Sequence, residues 1–173
     1  MRDWEQLVTR IDQEIHRHPN DFIDGRPRPG ASARKISETE ARLGFSFTPV
    51  HREFLAIVDG WPHFTVAEST LYSLDELGSD QWQNDRRAIL DWDVTYTEEV
   101  ESRGMPSFDQ MLFASGGFRI GVSMLLVPPA SSCADGRMIE IASDINVYDD
   151  FYAYMQHVLD NWIHFNEHIE GTS

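Results

Sequence analysis

His164-Phe-Asn-Glu167-His168 has the H-x-x-E-H spacing, which sets two imidazoles on one helical face beside a carboxylate able to act as a general base. A catalytic zinc normally takes three protein ligands, and this pair stands at the end of the sequence with no later segment to bring a third. Solvent-facing histidines and no metal are therefore expected. Cys133, the single cysteine, lies in Pro-Pro-Ala-Ser-Ser-Cys-Ala-Asp-Gly with no basic neighbour in the sequence to lower its pKa, so it reads as an incidental thiol. Gly116-Gly117-Phe-Arg-Ile-Gly121 has the look of a phosphate loop, but it falls between two strand patterns and opens no helix. It reads as a turn. Asp91 with Asp93, Glu98 with Glu99 and Asp149 with Asp150 are carboxylate pairs. Acid–base catalysis needs paired carboxyls in unlike environments, and nothing in these runs promises a pocket. Neither a catalytic residue nor a cofactor is expected, and the chain reads as no enzyme.

One cluster fits binding better than catalysis. Asp75, Glu76, Asp80, Asp85, Asp91, Asp93, Glu98, Glu99 and Glu101 stand in one stretch against only Arg86 and Arg87, with Trp82, Trp92 and Tyr96 interleaved. Aromatic anchors among charges of one sign suit a protein–protein contact: the rings supply desolvated area and the carboxylates supply steering. The competing reading is a solvated acidic helix whose tryptophans point into the core.

The whole chain shares that bias. Its formal net charge is −15. Residues 1–52 carry nine Lys and Arg against eight acids, residues 53–173 carry five Arg against 21 acids, and no Lys or Arg follows Arg137. Such a field repels nucleic acid and anionic membrane and attracts a cationic partner. No apolar run is long enough to cross a bilayer, there is no signal-peptide core, and one cysteine forms no internal disulfide, so a cytoplasmic protein is expected.

The elements that must position these residues follow from periodicity. Trp4, Leu7, Val8, Ile11 and Ile15 predict an opening helix. Residues 18–35 read as an irregular loop. Ser37-x-x-Glu40 reads as a capping box preceded by Ile36 as a staple, Gly44 as the stop, and Thr48-Pro49 as the start of a second helix running to Asp59-Gly60. Phe64 with Val66, and Leu71-Tyr72, suggest short strands, and residues 79–92 a helix. The period then becomes two: Met111 and Phe113; Ile120, Val122, Met124 and Leu126; Ile139 and Ile141, with Gly116-Gly117 and Asp135-Gly136 as turns. A closing helix is predicted from Val147, with Asn146 as its cap. The expectation is one α+β domain over residues 1–173, an antiparallel or mixed sheet packed against several helices, with an acidic insert at 80–101.

In that order of elements, Ile-Ser-Glu-Thr-Glu-Ala-Arg-Leu-Gly-Phe-Ser-Phe-Thr-Pro-Val-His-Arg-Glu-Phe-Leu-Ala-Ile-Val-Asp-Gly-Trp from Ile36, then Leu-Tyr-Ser-Leu-Asp-Glu-Leu from Leu71, the strands from Met111 to Val127 and Gly-Arg-Met-Ile-Glu-Ile-Ala-Ser-Asp from Gly136 resemble the SUKH superfamily of Smi-and-Knr-type domains. The likeness spans 36–162 and rests on Glu40, Leu43-Gly44-Phe45, Pro49, Phe54-Leu55 and Gly60. Asp59 departs from the more usual Asn, and the insert and the proline-rich loop are less typical. The resemblance implies a SUKH-like fold and a bacterial immunity protein that binds and neutralises a cognate toxin domain. With the charge, it points to a cationic nuclease toxin as partner and to a monomer or weak dimer. The fungal branch implies an alternative, a non-catalytic regulatory scaffold of cell-wall synthesis.

Overall fold

The computed structural model describes residues 2–18, 25–67, 69–90, 97–116, 124–142 and 144–171. Helix α1 (Trp4–Ile15) buries all five residues of its predicted stripe, and the Asp3 carboxylate caps it by accepting from Gln6 N at 3.0 Å. Helix α2 (Ala33–Leu43) starts four residues before the expected capping box, because Ser32 takes the cap by accepting from Lys35 N. Ser37 and Ile36 are thus inside the helix. Glu40 does a different job: one carboxylate oxygen accepts from Phe47 N at 2.9 Å and the other pairs with Arg52.

The turn between the helices follows expectation. Gly44 closes α2 with φ +62°, and Thr48 caps α3 (Pro49–Leu55), which opens on its proline. Helix α3 is shorter than predicted. Its last turn loosens after Leu55, and Val58 still reaches the core. Phe54 from α3 meets Trp4 of α1 at 5.3 Å and Phe151 at 4.7 Å between ring centres.

Only Thr70–Leu71 (β1) of the two expected early strands forms. Phe64 lies in an irregular stretch, its N–H donating to Ser69 O at 2.9 Å, yet it is fully buried. Helix α4 (Asp80–Leu90) and the short α5 (Thr97–Ser102) precede a single extended run that serves two sheets. Its first part, β2 (Leu112–Phe113), pairs with β4 (Met124–Val127), and its second, β3 (Ser115–Gly116), pairs with β1. Gly116 is therefore a strand residue and not the predicted turn. A Cβ there would fall 1.8 Å from the Tyr72 hydroxyl, so the approach of that ring requires glycine.

The larger sheet has the order β2-β4-β5-β6, antiparallel throughout, with β5 at Met138–Ile141 and β6 at Ile145–Tyr148. Asp135 (φ +51°) and Gly136 (φ +86°) form the predicted turn before β5. All four residues of β4 are buried, Leu125 and Val127 as well as Met124 and Leu126. Alternation was thus the wrong template for this strand, which is covered on both faces. Ile120 and Val122 lie outside the described residues.

The last helix, α6 (Phe151–Gly171), starts later than predicted. Val147 and Tyr148 belong to β6, paired with Ile139 and Met138, and Asp150 is the cap, accepting from Ala153 N at 2.9 Å. Phe151, Tyr154, Met155, Val158, Leu159 and Trp162 are its buried side, which packs against α1 and α3. The chain is α+β, with six helices and two antiparallel sheets among the described residues. No described helix is long and apolar enough to cross a membrane.

Candidate functional site

The predicted acidic cluster separates on folding. Asp75 and Asp59 both accept from Lys35 Nζ, at 2.7 and 2.8 Å, and these two bonds raise the ammonium pKa. Glu76 takes both Nη atoms of Arg28, at 2.8 and 3.0 Å, and also Ser73 N at 2.7 Å. Burial raises the Glu76 pKa, but the bonds from Arg28 and Ser73 outweigh it and leave the carboxyl below its ordinary value. Asp85 accepts from the Tyr72 hydroxyl and from Gln81. These acids hold the fold together.

Trp82 corrects the anchor reading. It is only 6% exposed, and its indole N–H donates to Phe113 O at 2.8 Å, fastening α4 to β2. A contact anchor must offer its ring to solvent, and this ring belongs to the core. Asp91, Trp92, Asp93 and Tyr96 lie outside the described residues. Asp80, Glu98, Glu99 and Glu101 are exposed, and among the described residues only Glu99 of these has an ion pair, with Arg103. Arg103 also donates to Ile145 O at 2.8 Å, tying the end of α5 to the turn that carries exposed Asp144. Arg103 thus joins α5, which carries Glu98 and Glu101, to the turn that carries Asp144, and none of these three acids has an ion pair among the described residues.

Two cations stand beside them: Arg103 pairs with Glu99, and Arg137 donates to Arg103 O and Gly104 O at 3.2 and 3.3 Å. Arg2, Arg17, Arg26, Arg28, Arg34, Lys35 and Arg52 are all held in ion pairs, and Arg42 donates to Leu77 O and Leu74 O. Helix α6 has no Lys or Arg. It carries Phe165, the one large apolar side chain among the described residues that is strongly exposed. His164 and His168 are exposed on the same helix, and no group of metal-ligating side chains occurs among the described residues. Cys133 is exposed, near Gly104 O at 3.7 Å.

A pocket of about 240 Å³ lies between β5, β6 and α6. Its polar groups come from Glu140, Asn146, His157 and Asn161, and Thr65, Val66, Ala142 and Val158 line the rest. Glu140 and Asn146 are register partners on neighbouring strands, so their side chains emerge side by side on the face that α6 covers. Glu140 is 8% exposed and takes part in no ion pair among the described residues. It is held by phenols: Tyr148 donates to Oε2 at 2.9 Å, and Tyr154 donates as well. Burial and the Glu140 charge push both phenol pKa values upward. Asn161 bonds to His157 Nε2 at 2.9 Å at the rim. Held this way, the carboxylate can accept from a cation entering the pocket.

No protein-family model matches the chain, and no curated protein matches it at a significant level. The site must therefore be read from its own geometry. A larger groove of about 580 Å³ runs between the end of α2 and α4, but its guanidinium groups are already engaged: Arg42 by Leu77 and Leu74 carbonyls, Arg86 by Asp109 O and the Trp82 ring. The Glu140 pocket went unforeseen because Ile139 and Ile141 marked one face of β5 as core and left Glu140 to solvent by alternation. The available signal was a single carboxylate inside the otherwise apolar run Met138–Ile141.

Proposed function

We propose that this protein is a non-catalytic binding protein that neutralises a basic toxin domain by stoichiometric attachment. The observation that carries this reading is the pairing pattern: internal ion pairs hold Arg2, Arg17, Arg26, Arg28, Lys35 and Arg52, and the exposed acids at Glu98, Glu101, Asp144, Asp149 and Asp160 have no ion pair among the described residues. A nuclease grips phosphates with Lys and Arg, and an acidic surface can cover that grip in place of the nucleic acid. The resemblance of residues 36–162 to the SUKH superfamily supports the same reading, with an immunity protein as the implied branch. The contact is proposed at the surface formed by α5 and the β5–β6 turn and extended by the acidic helix α6, whose exposed Phe165 supplies apolar area. A site inside the cytoplasm follows from this role. Size-exclusion chromatography with light scattering tests it: mixed with the C-terminal domain encoded by the reading frame immediately upstream, the protein forms a 1:1 complex at micromolar concentration. Two separate peaks at that concentration contradict the proposal.

A further inference from the structure

We infer that the Glu140 pocket is a binding site for a guanidinium or primary ammonium group carried on an aliphatic stem. The carboxylate is 8% exposed, it takes part in no ion pair among the described residues, and the titratable side chain that shares the pocket with it is His157. A charge held in the interior is costly unless it meets an opposite charge, and two phenol hydroxyls supply hydrogen bonds without supplying one. The pocket opens onto that carboxylate, so the missing charge can come from outside. Its size fits a single side chain: about 240 Å³ is below the roughly 300–1,000 Å³ of clefts that take drug-sized molecules. Its walls match the rest of the ligand. Val66, Ala142 and Val158 suit a methylene stem, and the side-chain amides of Asn146 and Asn161 add acceptors around the carboxylate.

The cation has two sources with one chemistry, a basic side chain of a protein and a free alkyl guanidine or diamine. On the proposed function the source is an arginine or lysine of the basic partner, and only that assignment rests on the partner reading. The pocket itself does not.

Amide chemical shifts of the labelled protein, followed during titration with acetyl-arginine-methylamide, agmatine and acetyl-citrulline-methylamide, test the site. Saturable shifts at Glu140, Asn146 and Asn161 are expected with the two cations, and binding of the uncharged citrulline analogue weaker by about tenfold or more. Glu140→Gln weakens the cations by a similar factor. Should that variant fail to fold, Asn161→Lys keeps Glu140 and places an ammonium at the rim, where it competes with the added cation and reduces its binding. Tighter binding of the capped arginine assigns the pocket to a protein side chain, and tighter binding of agmatine assigns it to a free small cation. Absence of saturable shifts, or equal binding of the citrulline analogue, overturns the inference. Agmatine binding without any toxin complex would leave the pocket intact and remove the partner.

Discussion

His51 is fully buried, stacked on Phe151 at 4.4 Å with its Nδ1 unpartnered, and desolvation pushes its pKa from 6.5 down to about 3. The imidazole of the unfolded chain takes up a proton as pH falls through 6.5, and the folded one stays neutral until about 3. The unfolded state therefore binds more protons in that window, and stability present above 6.5 declines as pH drops toward 3. From pH 7 to pH 5 the His51 contribution amounts to about 2 kcal/mol of lost stability. Thermal melts of His51→Leu over this range should show a flatter pH dependence than the wild type; identical slopes would contradict the burial argument. Trp82 and Glu140 show why residue type alone misled. Tryptophan suits an exposed anchor and a buried hydrogen-bonded core position equally, and the Phe113 carbonyl that selects the second lies 31 residues away. Trp82→Phe removes that bond and should cost about 1 kcal/mol in denaturant unfolding, with affinity for the partner unchanged. A loss of affinity at unchanged stability would restore Trp82 to the contact surface.

Elements were legible where their signals are local. The α1 stripe, the Gly44 stop and the Thr48-Pro49 start all depend on residues within a turn of one another, and each forms as expected. Gly44 has nothing within 4 Å of where a Cβ would sit, so Gly44→Ala isolates the left-handed backbone cost, about 1 kcal/mol by denaturant unfolding. Elements were misread where pairing decides. Val147 and Tyr148 continue the spacing of Phe151 and Tyr152, which extended the helical reading backwards, but pairing with Ile139 and Met138 of β5 holds them in a strand. The caps discriminate between the two readings: Asp150→Ala should destabilise by about 1 kcal/mol, and Asn146→Ala, which removes no cap, by much less. The reverse order would place the helix start where the sequence alone suggested. Strand β4 failed for a related reason, since alternation presumes one wet face and β4 has none.

For the whole molecule, the charge total was plain from composition, but its usable part was not. Asp75 and Glu76 read as members of a docking surface until Lys35 and Arg28, some 40 and 48 residues away, engaged them. Folding thus sorts the acids into those that brace the N-terminal half and those left facing solvent around α5, the β5–β6 turn and α6. Attraction between that second group and a cationic partner acts over distances that salt shortens, with a screening length of about 8 Å at physiological ionic strength and about 3 Å at 1 M. Stopped-flow association of the protein with the proposed basic toxin domain, across a salt series, tests this most directly. The wild-type rate should fall about tenfold or more from low to high salt, and the combined Glu98→Gln, Glu101→Gln and Asp144→Asn variant should start slower and respond less. A rate indifferent to both salt and the three substitutions would contradict the central claim that unpaired acids recruit the partner.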